Sequence, residues 1–361
     1  MGCAQSRQNE KCNMISYELK YLLPELVQAI KLGQQCLYSD ESPIKLTPIK
    51  EIGGIFCKLE SLLPSGSVKM RAMYHMLFRL QQKKRHKGLE QLNLVICSSG
   101  NAATACIECL KIFKQEKKQE FHIDQTTSEL LQDDTPTDPG QSCVIKDQQL
   151  QSKIKPYELL GQLIIFCKHL NEMHDLNDLP NVKVINSQLN KSDIEVEAFK
   201  YAEDNGYDYL DIYNDVDVFG GYATIGFEID QWQVLTKTKL DYVFVTLKSG
   251  ALIAAIAFYL KHIAKNQIKV IGVMLYGSTR RESTICSQII EGFIDEIIFV
   301  STQEVEKAQC ELAKADEIAE FNSAIAYAGC KKTQYKNSLV ILSGSNVTVS
   351  DLSKLMSKYQ Q

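Results

Sequence analysis

The chain has 361 residues, 45% of them hydrophobic and 23% charged, with a net charge of −4. That length supports two or three domains with sizeable cores, and so small a charge leaves no electrostatic footprint for general nucleic-acid binding. No run approaches the ~20 apolar residues of a membrane-spanning helix. Twelve cysteines are scattered, several inside apolar runs (Cys97, Cys106, Cys167, Cys310). Without a secretory signal they read as reduced thiols of an intracellular protein.

In chain order, Gly2 after the initiator Met, with Ser6, matches an N-myristoylation pattern, and Cys3 beside it suits palmitoylation. One acyl chain holds a protein only marginally, whereas two hold it stably, so residues 1–14 are expected to be a flexible acylated tail on the cytoplasmic face of a membrane. The alternative is a plain polar, disordered start. Residues 15–40 carry apolar side chains at helical spacing (Tyr17, Leu19, Leu22, Leu26, Ile30, Leu37). Pro43 to Ile49 reads as an extended connector, and Ile55 to Glu60 as a strand.

The turn Ser65-Gly66-Ser67 then opens a helix whose buried face is Met70, Met73, Leu77 and Leu80. Lys69 falls in the first turn of that inward-packing helix. A lysine there is awkward, because burying an ammonium is costly and helix N-termini repel positive charge. Two readings fit: the side chain snorkels to solvent, or its amine is neutralised by condensing with an aldehyde cofactor. The basic run 82–87 reads as the solvated end of the helix, with Gly88 as its cap.

Leu92 to Cys97 is a buried-type strand, followed by Ser98-Ser99-Gly100-Asn101 and a helix opening at Ala102. Free amides at such a junction suit a carboxylate or phosphate. Cys106 and Cys109 form C-x-x-C, but neither a second pair nor a His cluster accompanies them. Residues 114–142 and 169–182 read as exposed insertions. Strands are expected at 142–145, 163–166 and 182–185, with a helix between the first two and another around 192–204. Gly220-Gly221-Tyr222-Ala223-Thr224-Ile225-Gly226 reads as a turn-to-helix junction.

Tyr242 to Leu247 is a continuous apolar run leading to Lys248-Ser249-Gly250-Ala251 and an apolar helix, 252–260. Short β-branched runs follow at 269–274 and 296–300. The last strand, 339–342, ends in Ser343-Gly344-Ser345-Asn346, with a helix after Ser350-Asp351. Strands alternating with helices imply an α/β protein with mostly parallel sheets covered by helices on both faces. Ligands in such folds bind at the carboxyl ends of the strands, where these small polar turns cluster.

The order of these turns, a Lys in S-G-S-x-K-x-R, then S-S-G-N, a Gly-rich stretch, and L-S-G-x-N at the final strand, resembles the fold-type II pyridoxal-phosphate enzymes. The branch it is most similar to is the threonine dehydratase and serine racemase group, from about residue 40 onward. The resemblance implies a two-domain α/β architecture: a large cofactor-binding domain of residues 15–92 plus 208–361, and a small domain of residues 93–207. It implies that Lys69 holds the cofactor as an imine and moves protons on one face, with Ser99 the proton donor or acceptor on the other. Asn101 would hydrogen-bond the phenolic oxygen of the ring, and Ser343 would face its nitrogen. Lys248, Ser249, Gly250 and Ala251 would cradle the phosphate. The Ser98, Ser99, Gly100, Asn101 and Ala102 turn would take the substrate carboxylate. Glu320 falls where the family carries a glutamate near the ring, and a homodimer is implied.

Several positions depart from the family pattern. Its phosphate turn has four glycines, where this chain has Lys248-Ser249-Gly250-Ala251. A Cβ at a position needing positive φ costs about 1–2 kcal/mol. Against that, Lys248 brings a cation, Ser249 a hydroxyl, and a helix N-terminus remains. Val68 replaces an aromatic residue, Ala102 a histidine, and Tyr222 and Ala223 a Gln-Gly pair. Phe321 and Asn322 are expected to crowd the pocket beside Glu320. At the positions of the group's divalent-metal site stand Met274 and Arg280, neither an oxygen ligand, so no metal is expected.

The expected function is a pyridoxal-phosphate-dependent serine or threonine dehydratase-like lyase acting on a small amino acid, with racemisation as an accompanying outcome. One alternative is an inactive relative serving as a membrane-tethered binding or scaffold protein. Another is β-replacement of the cysteine-synthase kind.

Overall fold

The computed structural model describes residues 17–39, 42, 44, 46–87, 91–98, 100–115, 160–168, 181–279 and 284–359. Gly2, Cys3, Ser99, Arg280, the strand expected at 142–145 and nearly all of the two insertions lie outside the described residues.

Two sheets organise the chain. The larger has six strands in the order β1-β2-β10-β7-β8-β9: β1 (Ile49–Ile52), β2 (Ile55–Leu59), β10 (Ser338–Leu342), β7 (Tyr242–Thr246), β8 (Lys269–Leu275) and β9 (Glu296–Val300). The smaller has four, in the order β5 (Val182–Asn186), β4 (Leu160–Cys167), β3 (Leu92–Cys97) and β6 (Asp208–Tyr209). Every pairing is parallel except β1 with β2, which are antiparallel. Parallel strands need helices on both faces, which is why the central ones read as unbroken apolar runs. All five residues of β10 are buried, as are Val243, Phe244 and Val245 of β7.

The largest core joins the two sheets. It gathers side chains from α1 (Tyr17–Leu37), α2 (Lys69–His86), α3 (Asn101–Gln115), α5 (Val216–Thr236), α6 (Ala251–Phe258) and α7 (Thr284–Phe293). A second core lies on the other face of the six-stranded sheet, under α8 (Thr302–Lys314) and α9 (Phe321–Thr333). A third lies between the four-stranded sheet and α4 (Lys191–Asn205), and α10 (Val349–Lys358) closes the described chain.

Three sequence expectations need correction. The glycine-rich stretch 220–226 is not a turn; it lies inside the 21-residue helix α5. Its glycines mark helix crossings: a Cβ at Gly221 would sit 2.6 Å from the Arg71 carbonyl oxygen, and one at Gly220 would run into the Ala29 carbonyl. Helix-breaking composition has been used here for close packing. The connector ending at Ile49 gives way to strand β1, which turns through Gly53 and Gly54 to pair with β2. Helix α8, which the sequence reading passed over, starts at a complete capping box of Ser301 and Glu304.

No helix among the described residues is long and apolar enough to cross a membrane. The described cysteines are all buried.

Candidate active site

The Ser-Gly-Ser turn and the end of β10 are stitched together. The Val68 amide donates to the Ser343 carbonyl at 2.8 Å, and the Ser345 amide to the Gly66 carbonyl at 2.9 Å, around an antiparallel bridge between Ser67 and Gly344. These bonds set Lys69, the first residue of α2, beside Ser343. The Glu320 amide donates to the Gly344 carbonyl at 3.0 Å, which brings the start of α9 to the same corner. Asn101, first residue of α3, crosses from the other sheet. Its Nδ2 donates to both Glu320 carboxylate oxygens, at 2.8 and 2.9 Å, while its Oδ1 accepts from Asn346 Nδ2 at 2.7 Å.

The Lys69 amine lies between two tyrosine rings, 5.7 Å from the centroid of Tyr213 and 5.5 Å from that of Tyr222. Each such contact stabilises an ammonium by roughly 0.5–2 kcal/mol. Tyr222, read only as a departure from the family pattern, is thus part of the site. Burial pushes the Glu320 carboxyl above its ordinary value, against the opposing pull of the Asn101 amide and the charges of Lys248 and Lys69.

Only Gly250 of the four residues 248–251 has a left-handed backbone, at φ 93°. Lys248, Ser249 and Ala251 therefore carry side chains without backbone strain, and the single glycine retained stands where one is required. Gly250 is the N-cap of α6, and the first-turn amides of that helix have no intrahelical acceptor. Lys248 Nζ donates to Asn322 Oδ1 at 3.3 Å, and Thr246 Oγ1 to the Asn322 carbonyl at 2.8 Å. Of the two residues expected to crowd the pocket, Phe321 packs against the second core and Asn322 meets Lys248.

At the S-S-G-N turn, the Ser98 amide is committed to the Phe166 carbonyl at 3.0 Å, and Ser98 Oγ accepts from the Gly100 amide at 3.4 Å. The Gly100 carbonyl caps α3 by accepting from Ala103 and Thr104. The amides of Asn101 and Ala102, at the head of α3, are the donors best suited to an anion. Met274 is buried near the end of β8, and no group of three or more His, Cys, Asp or Glu among the described residues is arranged for a metal ion.

Two positions beyond Lys69 lies a network that sequence reasoning missed. Arg71, fully buried, donates to Glu60 through Nε at 2.7 Å and Nη2 at 3.0 Å, and to Glu228 Oε2 through Nη2 at 2.9 Å. Lys58 Nζ also meets Glu228 and Thr47, and Tyr38 donates to Glu228 Oε1 at 2.9 Å. Burial alone would raise the Glu60 carboxyl, but the charges of Arg71 and Lys58 overcome it and hold the group at about 2. The network locks the start of α2 to β2 and α5. A charged residue inside the apolar run of α5, Glu228, was the available signal.

The α/β fold, with a lysine at a helix start beside the last central strand and a glycine-capped helix N-terminus nearby, defines the fold-type II class. The chain belongs to the pyridoxal-phosphate dependent enzyme family, which matches residues 41–344. It is 25% identical to the mitochondrial threonine dehydratase of Saccharomyces cerevisiae over 330 residues, 81% of this chain and 48% of that protein, so it spans about half the length of that relative. A catabolic L-threonine dehydratase of Staphylococcus aureus is 25% identical over 337 residues, 83% of this chain and 81% of that one. The structure of maize serine racemase superposes with a TM-score of 0.64 at 15% identity, covering 92% of this chain and 98% of that one.

The residues present fit pyridoxal phosphate. Lys69 would offer an amine for the aldehyde, Ser343 a neutral hydroxyl for the ring nitrogen, and the helix capped by Gly250 its N-terminus for the phosphate.

Proposed function

We propose that the chain is a pyridoxal-phosphate-dependent lyase of the serine/threonine dehydratase type, releasing a 2-oxo acid and ammonia from a hydroxy amino acid. The observation that carries this reading is the Val68–Ser343 hydrogen bond at 2.8 Å, which sets Lys69 beside Ser343 and opposite the head of α3. When bound, the cofactor supplies an electron-withdrawing ring that acidifies the Cα–H of the amino acid. Lys69, held between Tyr213 and Tyr222, holds the cofactor and takes the proton at the substrate Cα. Ser99 serves the opposite face, and return of a proton from that face gives racemisation. The Asn101 and Ala102 amides bind the substrate carboxylate. Ser343, a hydroxyl and not a carboxylate, tempers the electron demand of the ring and so favours elimination over chemistry needing a strong carbanion sink.

The test is direct. Purified protein incubated with serine or threonine releases 2-oxo acid, and Lys69→Ala loses that release by about 10²-fold or more, whereas Ser99→Ala keeps it and loses racemisation. Release that survives Lys69→Ala, or racemisation that survives Ser99→Ala, contradicts the assigned roles.

One observation favours a second reading, a non-catalytic binding or scaffold protein. Asn101 already donates to both oxygens of Glu320 and accepts from Asn346, so the group meant for the ring's phenolic oxygen is engaged elsewhere. Protein that binds the cofactor yet releases no 2-oxo acid supports this reading. We further propose acylation at Gly2 and Cys3, which attaches the protein to a membrane surface. Gly2→Ala then moves it to the soluble fraction; an unchanged distribution refutes the anchor.

A further inference from the structure

The corner where β7 meets α6 carries a full positive charge in a turn that the backbone alone could have formed. Of its four residues only Gly250 is left-handed, so nothing in the backbone demands or forbids a lysine at 248. Lys248 is solvent-exposed, and its amine reaches across to the first turn of α9, 3.3 Å from Asn322 Oδ1. Asn322 is in turn fixed to the strand that precedes Lys248, its carbonyl accepting from Thr246 Oγ1 at 2.8 Å. Next along α9, Ser323 is fully buried and its hydroxyl has no hydrogen-bond partner among the described residues, a donor the corner leaves unused. Lys248 thus puts a cation two residues before Gly250, the cap of a helix whose first amides lack intrahelical acceptors.

We infer that Lys248, oriented by Asn322, is the residue that selects the phosphorylated form of the cofactor. This rests on the reading that the cleft beside Lys69 holds pyridoxal phosphate. A cradle of backbone amides alone offers dipoles; an ammonium adds a charge-assisted bond to a dianion. Because Lys248 is exposed, that contribution is screened by salt. Pyridoxal, which has the same ring and aldehyde but no phosphate, gains nothing from it.

The experiment is an equilibrium fluorescence titration of the full chain with pyridoxal phosphate and with pyridoxal, at low and high salt. Lys248→Met is expected to weaken pyridoxal phosphate by about tenfold or more while leaving pyridoxal unchanged, and to flatten the salt dependence. Lys248→Arg keeps most of the discrimination, and Asn322→Ala loses part of it, with no further loss when added to Lys248→Met. Equal weakening of both ligands by Lys248→Met, or no weakening of either, overturns the assignment while the cofactor reading stands. A wild-type chain that takes up neither ligand overturns both.

Discussion

Lys58, Glu60, Arg71 and Glu228 are buried together, two cations against two anions, with Glu228 reaching its partners from more than 150 residues away. Such a cluster adds little net stability over an apolar one, but breaking it is costly because the survivor is left charged and unpaired. Arg71→Met therefore costs about 3–5 kcal/mol, read as a lower denaturant midpoint. Glu60 also makes the fold acid-sensitive. Its folded value of about 2 lies below the ordinary 4.5, so the stability it contributes is present above 4.5 and lost as pH falls toward 2. His75 acts in a higher window. Its Nδ1–H donates to the Asp217 carbonyl at 2.7 Å, and burial pushes the ring down from 6.5 to about 4. Protonating it favours unfolding, so stability falls as pH drops from 6.5 to 4, by at most about 3 kcal/mol. Thermal melts across pH, with His75→Gln lacking the upper step, check this. Glu320 has the opposite sign. Its raised carboxyl makes ionisation costly in the fold, so Glu320→Gln gains on the wild type as pH climbs above 4.5. A stability gap that stays constant with pH would contradict the burial argument.

Among elements, α5 does most to position the site, and it was the one read least well. Local composition marks Gly220, Gly221 and Gly226 as helix breakers, yet the helix runs through them, and its neighbours approach too closely for a Cβ: α1 and α2 at Gly220 and Gly221, Tyr259 at Gly226. Gly221→Ala meets the backbone of Arg71 and Ala72, so the helix that begins with Lys69 must shift. The expected cost is about 1–3 kcal/mol, with a loss of cofactor affinity that a remote destabilising change such as Ser301→Ala does not share. Equal effects on binding from the two variants would contradict the positioning role. The strands were far more legible. β3 was read at its observed limits, and β7, β8 and β10 to within a residue, because burial on both faces writes itself as an apolar run; the edge strands β5 and β9, less buried, were read as closely from their β-branched residues. β1 escaped notice since four residues between turn signals carry too little pattern to distinguish a strand from a connector.

For the whole molecule, the family was readable because its turns come in a fixed order, and the fold then brings Lys69, Ser343, Asn101 and Glu320 into one corner. What could not be read was the side-chain traffic across that corner. The Glu320–Asn101–Asn346 chain joins Asn101 to partners more than two hundred residues away, and no local pattern specifies it. Sequence cannot say which way the Phe321 ring turns either; it packs against the second core. Conversely, side chains at 248, 249 and 251 threatened backbone strain in the sequence, and the backbone is left-handed at Gly250 alone.

The central claim is that the Lys69 amine holds pyridoxal phosphate in this cleft, and visible absorbance of the purified chain with added cofactor tests it most directly. The expected result is a Schiff-base band that borohydride abolishes, leaving the cofactor covalently attached, and that Lys69→Ala never develops. A wild-type chain that stays colourless with the cofactor present, or a band that persists in Lys69→Ala, would contradict it.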